Sequence, residues 1–209
     1  MKSSGKKLIR YLACFWAVSF ALPSIANECY ESSSFVENKD DIYIDHEIPQ
    51  LNKKDFQNIQ KILETSVGEW KGNKSVKECF GAKTSVTEKN ENYEVKGVAE
   101  FDGHEFHFKM DLYSPTSKSR KTVELNYFLT EDNFSINSSK WGKAEVLDST
   151  SSGVRYYRRF RQPRVGQPGT FVNETYYVLE AFGANVALKE YQYFNGELVL
   201  ESITTLSKK

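Results

Sequence analysis

From Tyr93 almost to the C-terminus, apolar residues recur at every second position. That period belongs to a strand with one face buried and the other in water. Phe106, Phe108, Met110 and Leu112 share one side, and Glu105, His107, Lys109 and Asp111 share the other. Val123, Leu125, Tyr127 and Leu129 repeat the pattern, as do segments 153–161, 170–181, 185–194 and 197–205. Turn dipeptides punctuate the runs. Asp102-Gly103 predicts a two-residue hairpin, and Asn195-Gly196 is the strongest short hairpin signal available. About nine strands follow from this reading. No helical pattern alternates with them, which argues against a parallel sheet. The economical fold is all-β: an antiparallel meander closed into a barrel or strongly curved sheet, since closure removes exposed edges.

One segment breaks the period. Leu51, Phe56, Ile59, Ile62, Leu63 and Val67 repeat at threes and fours, with lysines, glutamines and Glu64 between them. This predicts one N-terminal amphipathic helix, starting near Asn52 and stopping by Gly68. Such a helix packs on the sheet or serves as a lid.

The first 26 residues read as a secretory signal peptide. Lys2, Lys6, Lys7 and Arg10 precede an apolar stretch, Tyr11 to Leu22, and small residues close it at Ser24 and Ala26. About 12 apolar residues are too few to span a bilayer, which takes about 20. The alternatives are an uncleaved anchor and lipid modification at Cys14, but Cys14 falls inside the apolar core rather than after it. Residues 27–50 then form an N-terminal arm, and 51–209 a single domain with no transmembrane segment. The whole chain has 28 basic and 28 acidic residues. Removing residues 1–26 takes four basic residues and no acidic one, leaving 24 against 28 and a net charge of −4. Such a chain is not steered to nucleic acid by its overall field. The lysine-rich start suggests a bacterial source and the periplasm; a eukaryotic source would mean secretion.

Export sets the cysteine chemistry. Cys14 leaves with the signal, so Cys29 and Cys79 remain as an even pair in an oxidising compartment. One disulfide between them would staple the arm to the domain. It would be worth roughly 4 kcal/mol in the chain-entropy model.

No catalytic motif emerges. There is no Gly-x-Ser-x-Gly elbow, and both mature cysteines are expected to be oxidised. His104 and His107 point to opposite faces of a strand, which does not suit a metal. No cofactor motif is present either. The chain therefore reads as a binding protein rather than an enzyme.

One strand carries an unusual bias. Arg155, Arg158, Arg159, Arg161 and Arg164 lie within ten residues, among Tyr156, Tyr157 and Phe160. Alternation places Arg158 with Val154, Tyr156 and Phe160 on the more apolar face. A guanidinium there needs a partner. That partner is either a ligand carboxylate or phosphate, or a glutamate of the protein itself. The outward arginines suit cross-strand pairing with Glu and Asp. Aromatic residues number 29 of 209. Tyr177, Tyr191 and their neighbours could line a pocket with Arg158, Tyr156 and Phe160, or could simply fill a sheet core.

Gly68-Glu69-Trp70, entering the first strand after a short helix, resembles the opening of lipocalin-like (calycin) barrels. The length from Trp70 to Lys209 suits the rest of such a barrel. The resemblance implies a tryptophan closing the barrel's base, commonly beneath a C-terminal arginine; here the last basic residues are Lys208 and Lys209. It also implies a cavity for a small hydrophobic or amphipathic molecule. The function expected is an exported, non-enzymatic carrier of such a ligand. The alternative is a cell-envelope module with a filled core that binds a protein partner.

Overall fold

The computed structural model describes residues 29–31, 50–137, 143–163 and 170–209; for 160–163, 170 and 171 it describes the backbone alone. Residues 1–26, the expected signal peptide, and most of the expected arm lie outside the described residues. One helix, α1 (Lys53–Thr65), precedes ten strands. These are β1 (Gly68–Phe80), β2 (Thr87–Phe101), β3 (Glu105–Ser114), β4 (Ser119–Thr130), β5 (Asn133–Ile136), β6 (Glu145–Ser149), β7 (Gly153–Pro163), β8 (Thr170–Phe182), β9 (Asn185–Phe194) and β10 (Glu197–Lys208). All pair antiparallel in one sheet of order β5-β4-β3-β2-β1-β10-β9-β8-β7-β6. The edges come back together. Ser135 of β5 bridges Lys143, and the Ala144 amide donates to the Phe134 carbonyl at 2.9 Å. The result is a nearly closed barrel.

The helix begins as its sequence predicts. Asn52 caps it, its side chain accepting from the Asp55 amide at 2.9 Å. Ile59, Ile62 and Leu63 are fully buried, each burial favourable by about 1.5–3 kcal/mol. They join the interior cluster against β4, β6, β7 and β8. A polar clasp fixes the helix beside the β5–β6 gap: Ser149 Oγ donates to Asp55 at 2.5 Å and accepts from Asn58 at 2.9 Å.

Trp70 closes the base. It is 1% exposed, and its indole N–H donates to the Ser66 carbonyl at 2.8 Å, tying the helix end to β1. The Lys208 ammonium stands 5.4 Å from the ring centroid, a cation–π contact in the position that the family resemblance gives to arginine. Two strand glycines permit close approach here. A Cβ on Gly72 would lie 1.9 Å from the Thr205 carbonyl oxygen, and one on Gly97 would lie 2.6 Å from the Phe108 ring.

The hairpins divide between expectation and correction. Asn195 and Gly196 have φ of 52° and 80°, which suits the tight turn predicted. The β2–β3 turn instead centres on Gly103-His104, one residue later than Asp102-Gly103. The Asp102 amide donates to the Glu105 carbonyl, and its carboxylate accepts from the amides of His104 and Glu105 at 2.8 and 2.7 Å. Those charge-assisted bonds make Asp102 the flank of the turn rather than part of its tip.

Cys29 and Cys79 form the expected disulfide, with Cα atoms 5.7 Å apart. Next to it the arm pairs with a bulge in β10: the Tyr30 amide donates to Leu198, and the Leu198 amide to Glu31, both at 3.0 Å. Replacing both cysteines by serine is expected to lower the unfolding free energy by about 2–4 kcal/mol. Urea denaturation of the two oxidised proteins reads this; an unmoved midpoint would mean that the arm contributes nothing to the folded state.

Candidate functional site

The inward-facing residues form a gradient along the barrel axis. At the base lie Trp70, Phe106, Phe108, Val186 and Leu206, all buried. The next register row runs Leu179, Leu188, Thr204, Lys74 and Tyr93. Above it come Tyr156, Tyr177, Glu190, Ser202 and Val76, then Arg158, Thr175, Gln192, Leu200 and Glu78. The interior therefore passes from hydrocarbon to charge within a few residues.

Space follows the same gradient. The apolar base holds a void of only about 10 Å³, roughly one water's worth, walled by Trp70, Phe106, Phe108 and Leu179. Toward the open end a cleft of about 460 Å³ is lined by Arg158, Asn173, Thr175, Tyr177, Glu190 and Gln192. That size suits a small molecule. A groove of about 510 Å³ on the outer face of β2–β4 is larger, but several of its groups are already engaged. Asp111 accepts from Thr122 at 2.7 Å, and Arg120 lies over the Tyr113 ring. The interior cleft is the better candidate.

Its electrostatics centre on Glu190, which accepts from the Gln192 amide at 2.8 Å. Burial pushes the Lys74 ammonium below the usual lysine pKa; the Glu190 carboxylate opposes this and Lys121 adds to it. Burial likewise raises the Tyr177 phenol above its ordinary range, with Glu190 reinforcing the shift and Arg158 opposing it. Tyr177 stacks on Tyr156, with centroids 5.0 Å apart and planes at 12°. The Tyr156 and Tyr127 hydroxyls share a hydrogen bond of 2.5 Å. Burial holds both phenols well above the usual tyrosine pKa; the shared bond adds to the shift at Tyr156 and opposes it at Tyr127. Lys121 donates to the Tyr93 hydroxyl at 2.9 Å at the rim. The Thr204 hydroxyl, 1% exposed, has no hydrogen-bond partner among the described residues.

The residues picked from sequence separate into three groups. Arg158 and Tyr177 line the cleft, and no carboxylate among the described residues pairs with Arg158. Tyr156 is fully buried beneath them as support. Tyr191 stands on the opposite face of the sheet, where it packs with Tyr157, Tyr176, Tyr193 and Leu198 in a second cluster. The pairing Tyr177↔Glu190 puts Glu190 inward and so turns Tyr191 outward. The Phe160 side chain lies outside the described residues; its backbone pairs with Asn173. Two other arginines of β7, Arg155 and Arg159, form cross-strand pairs; the Arg161 side chain and Arg164 lie outside the described residues. Arg155 binds Asp148, and Arg159 binds Glu174 through two nitrogens at 2.9 and 3.0 Å.

Lys74, Glu190, Gln192 and Thr175 were missed. Parity from Trp70 through Gly72 to Lys74 was the available signal in β1. In β9 the charged Glu190 hides among aromatics. Among the described residues, no group of His, Cys, Asp and Glu is placed to hold a metal, and no helix is long and apolar enough to cross a membrane.

The antiparallel meander starts at the Gly-x-Trp strand, pairs its first strand with its last and follows a short helix, as the resemblance to lipocalin-like (calycin) barrels led one to expect. No family model and no curated protein matches the sequence. The structure is similar to that of lobster apocrustacyanin A1 over 77% of this chain and 73% of that one, with 11% identity and a TM-score of 0.29.

Proposed function

We propose that this is an exported, non-enzymatic binding protein for a small amphipathic ligand. The ligand's anionic end meets Arg158, and its apolar body lies against Tyr177 and Phe194. The observation that carries this reading is the cleft of about 460 Å³ with an arginine on its wall that makes no ion pair with a carboxylate among the described residues. A guanidinium so placed favours a planar anion, carboxylate or phosphate. The signal-like residues 1–26 and the Cys29–Cys79 disulfide support export to an oxidising compartment, the periplasm in a bacterium. A second reading has one observation in its favour. The base of the barrel is filled to about 10 Å³, as a protein-binding module with a solid core would be.

Displacement of a fluorescent anilinonaphthalene sulfonate probe tests the first reading. Arg158→Ala is expected to weaken binding by about tenfold to a hundredfold, the worth of a lost charge-assisted bond. Arg158→Lys should recover part of the loss, and an uncharged naphthalene probe should bind both forms alike. Equal affinity of wild type and Arg158→Ala for the sulfonate removes Arg158 from the site. No probe binding, together with a bare mass in native mass spectrometry, favours the filled module.

A further inference from the structure

The cross-strand register puts Lys74 inside the barrel. It stands opposite Tyr93 of β2 and opposite Thr204 of β10, and Thr204 in turn stands opposite Leu188 of β9. On its own strand it follows the inward-facing Trp70 and Gly72 and precedes Val76. The next row toward the open end holds Glu190, on the wall of the cleft. Half-buried lysines elsewhere in these strands are paired: Lys77 with Glu88 and Lys189 with Glu180, each at 3.3 Å. Lys121, at the rim, donates to Tyr93. The Lys74 ammonium, also half-buried, makes no hydrogen bond or ion pair among the described residues. Its neighbour Thr204 is 1% exposed, and that hydroxyl has no hydrogen-bond partner there either. Two polar groups without a protein partner therefore face one interior from adjacent strands, where an unmade hydrogen bond is costly. Burial favours the uncharged amine at Lys74; Glu190 opposes this, and like-charge repulsion from Lys121 adds to it. An uncharged lysine is a nucleophile, and an ammonium is not.

We propose that Lys74 is a covalent binding site for a small apolar aldehyde, held as an imine inside the barrel. The amine nitrogen attacks the carbonyl carbon, an N–C bond forms, and a proton passes from nitrogen to the carbonyl oxygen. The carbinolamine then expels its hydroxyl, which leaves as water with a second proton from nitrogen, and the C=N bond closes. No oxidant or reductant enters. Thr204 is a positioning residue: its hydroxyl holds the carbonyl oxygen and then the carbinolamine hydroxyl. Leu188 and Val76, inward on the neighbouring rows, give the aldehyde's chain an apolar wall. The aldehyde carries no charge, so this site does not rest on Arg158.

Reductive labelling with hexanal and sodium cyanoborohydride at neutral pH tests this. The reductant turns each imine into a stable secondary amine that peptide mapping locates. With limiting aldehyde and the purified, oxidised protein, Lys74 is expected to be labelled about tenfold faster than the exposed Lys53, Lys96 and Lys109, the gain that one pKa unit of activation gives. The amino terminus, whose pKa is low in any chain, is mapped separately. Unfolding in urea should erase the advantage of Lys74. Thr204→Val keeps the shape and removes the hydroxyl; it should slow labelling of Lys74 severalfold and leave the exposed lysines as they were. Arg158→Ala should label like wild type, so the outcome here is separate from that of the anionic-ligand reading. The proposal is overturned by labelling of Lys74 at or below the rate of the exposed lysines, by an advantage that survives in urea, or by a Thr204→Val rate equal to that of wild type. Lys74 would then be a lysine whose stem packs inside while its head reaches water.

Discussion

Trp70→Ala will lower the unfolding free energy by about 3–5 kcal/mol, the range for deleting a large buried aromatic side chain. The indole is 1% exposed and does three things at once. It fills the base of the barrel, donates to the helix's capping residue Ser66, and carries the Lys208 ammonium on its face. Its removal opens a void next to Phe106, Phe108 and Leu179 and frees the end of α1. Domains of this size are stable by only about 5–15 kcal/mol, so the alanine variant is at risk of not folding. Trp70→Phe keeps most of the volume and should cost less. Urea unfolding of both checks the expectation. A loss below about 1 kcal/mol for the alanine variant would mean that the helix collapses into the gap and that the tryptophan is dispensable.

Arg159→Ala is expected to cost about 3–5 kcal/mol, because it strands a buried charge. Glu174 has a side chain with 0% exposure, and Arg159 covers it from the neighbouring strand with only 14% exposure of its own. Removing the cation leaves the carboxylate with neither water nor its ion-pair partner. The double variant Arg159→Met with Glu174→Leu should recover most of the loss, since apolar replacement of a buried pair is often neutral. Chemical denaturation of the two single variants and the double variant gives the coupling. A cost under about 1 kcal/mol for Arg159→Ala would place the pair among solvated surface bridges. The contrast with Arg155 is instructive: its pairing with Asp148 is about half exposed on both sides and should contribute little.

The site and the fold differ in how far they were legible. Arg158 stood out because alternation along 153–161 put a charge on an apolar face, and the structure keeps it inward on the cleft wall. The Arg155 and Arg159 pairings followed from the same parity. Tyr191 did not follow. Its strand alternates aromatic and charged residues, so either face could have been the inner one. Lys74 and Glu190 were overlooked for a related reason. A charged residue in a strand reads as solvent-facing until a neighbouring strand shows which way the pair points.

Local patterns in the amino-acid sequence determined the strands, the helix with its Asn52 cap, the Asn195-Gly196 turn and the Cys29–Cys79 pairing. Each depends on near neighbours in the chain, or on two cysteines with no competitor. The tertiary structure alone decided which strand faces meet, that β5 and β6 close to a nearly complete barrel, and that the base is filled while the open end is not. Those outcomes rest on register between strands, and a slip of one residue exchanges every inward side chain for an outward one. The turn at Gly103-His104 shows how little separates the alternatives: two hydrogen bonds to one aspartate place the turn tip one residue along.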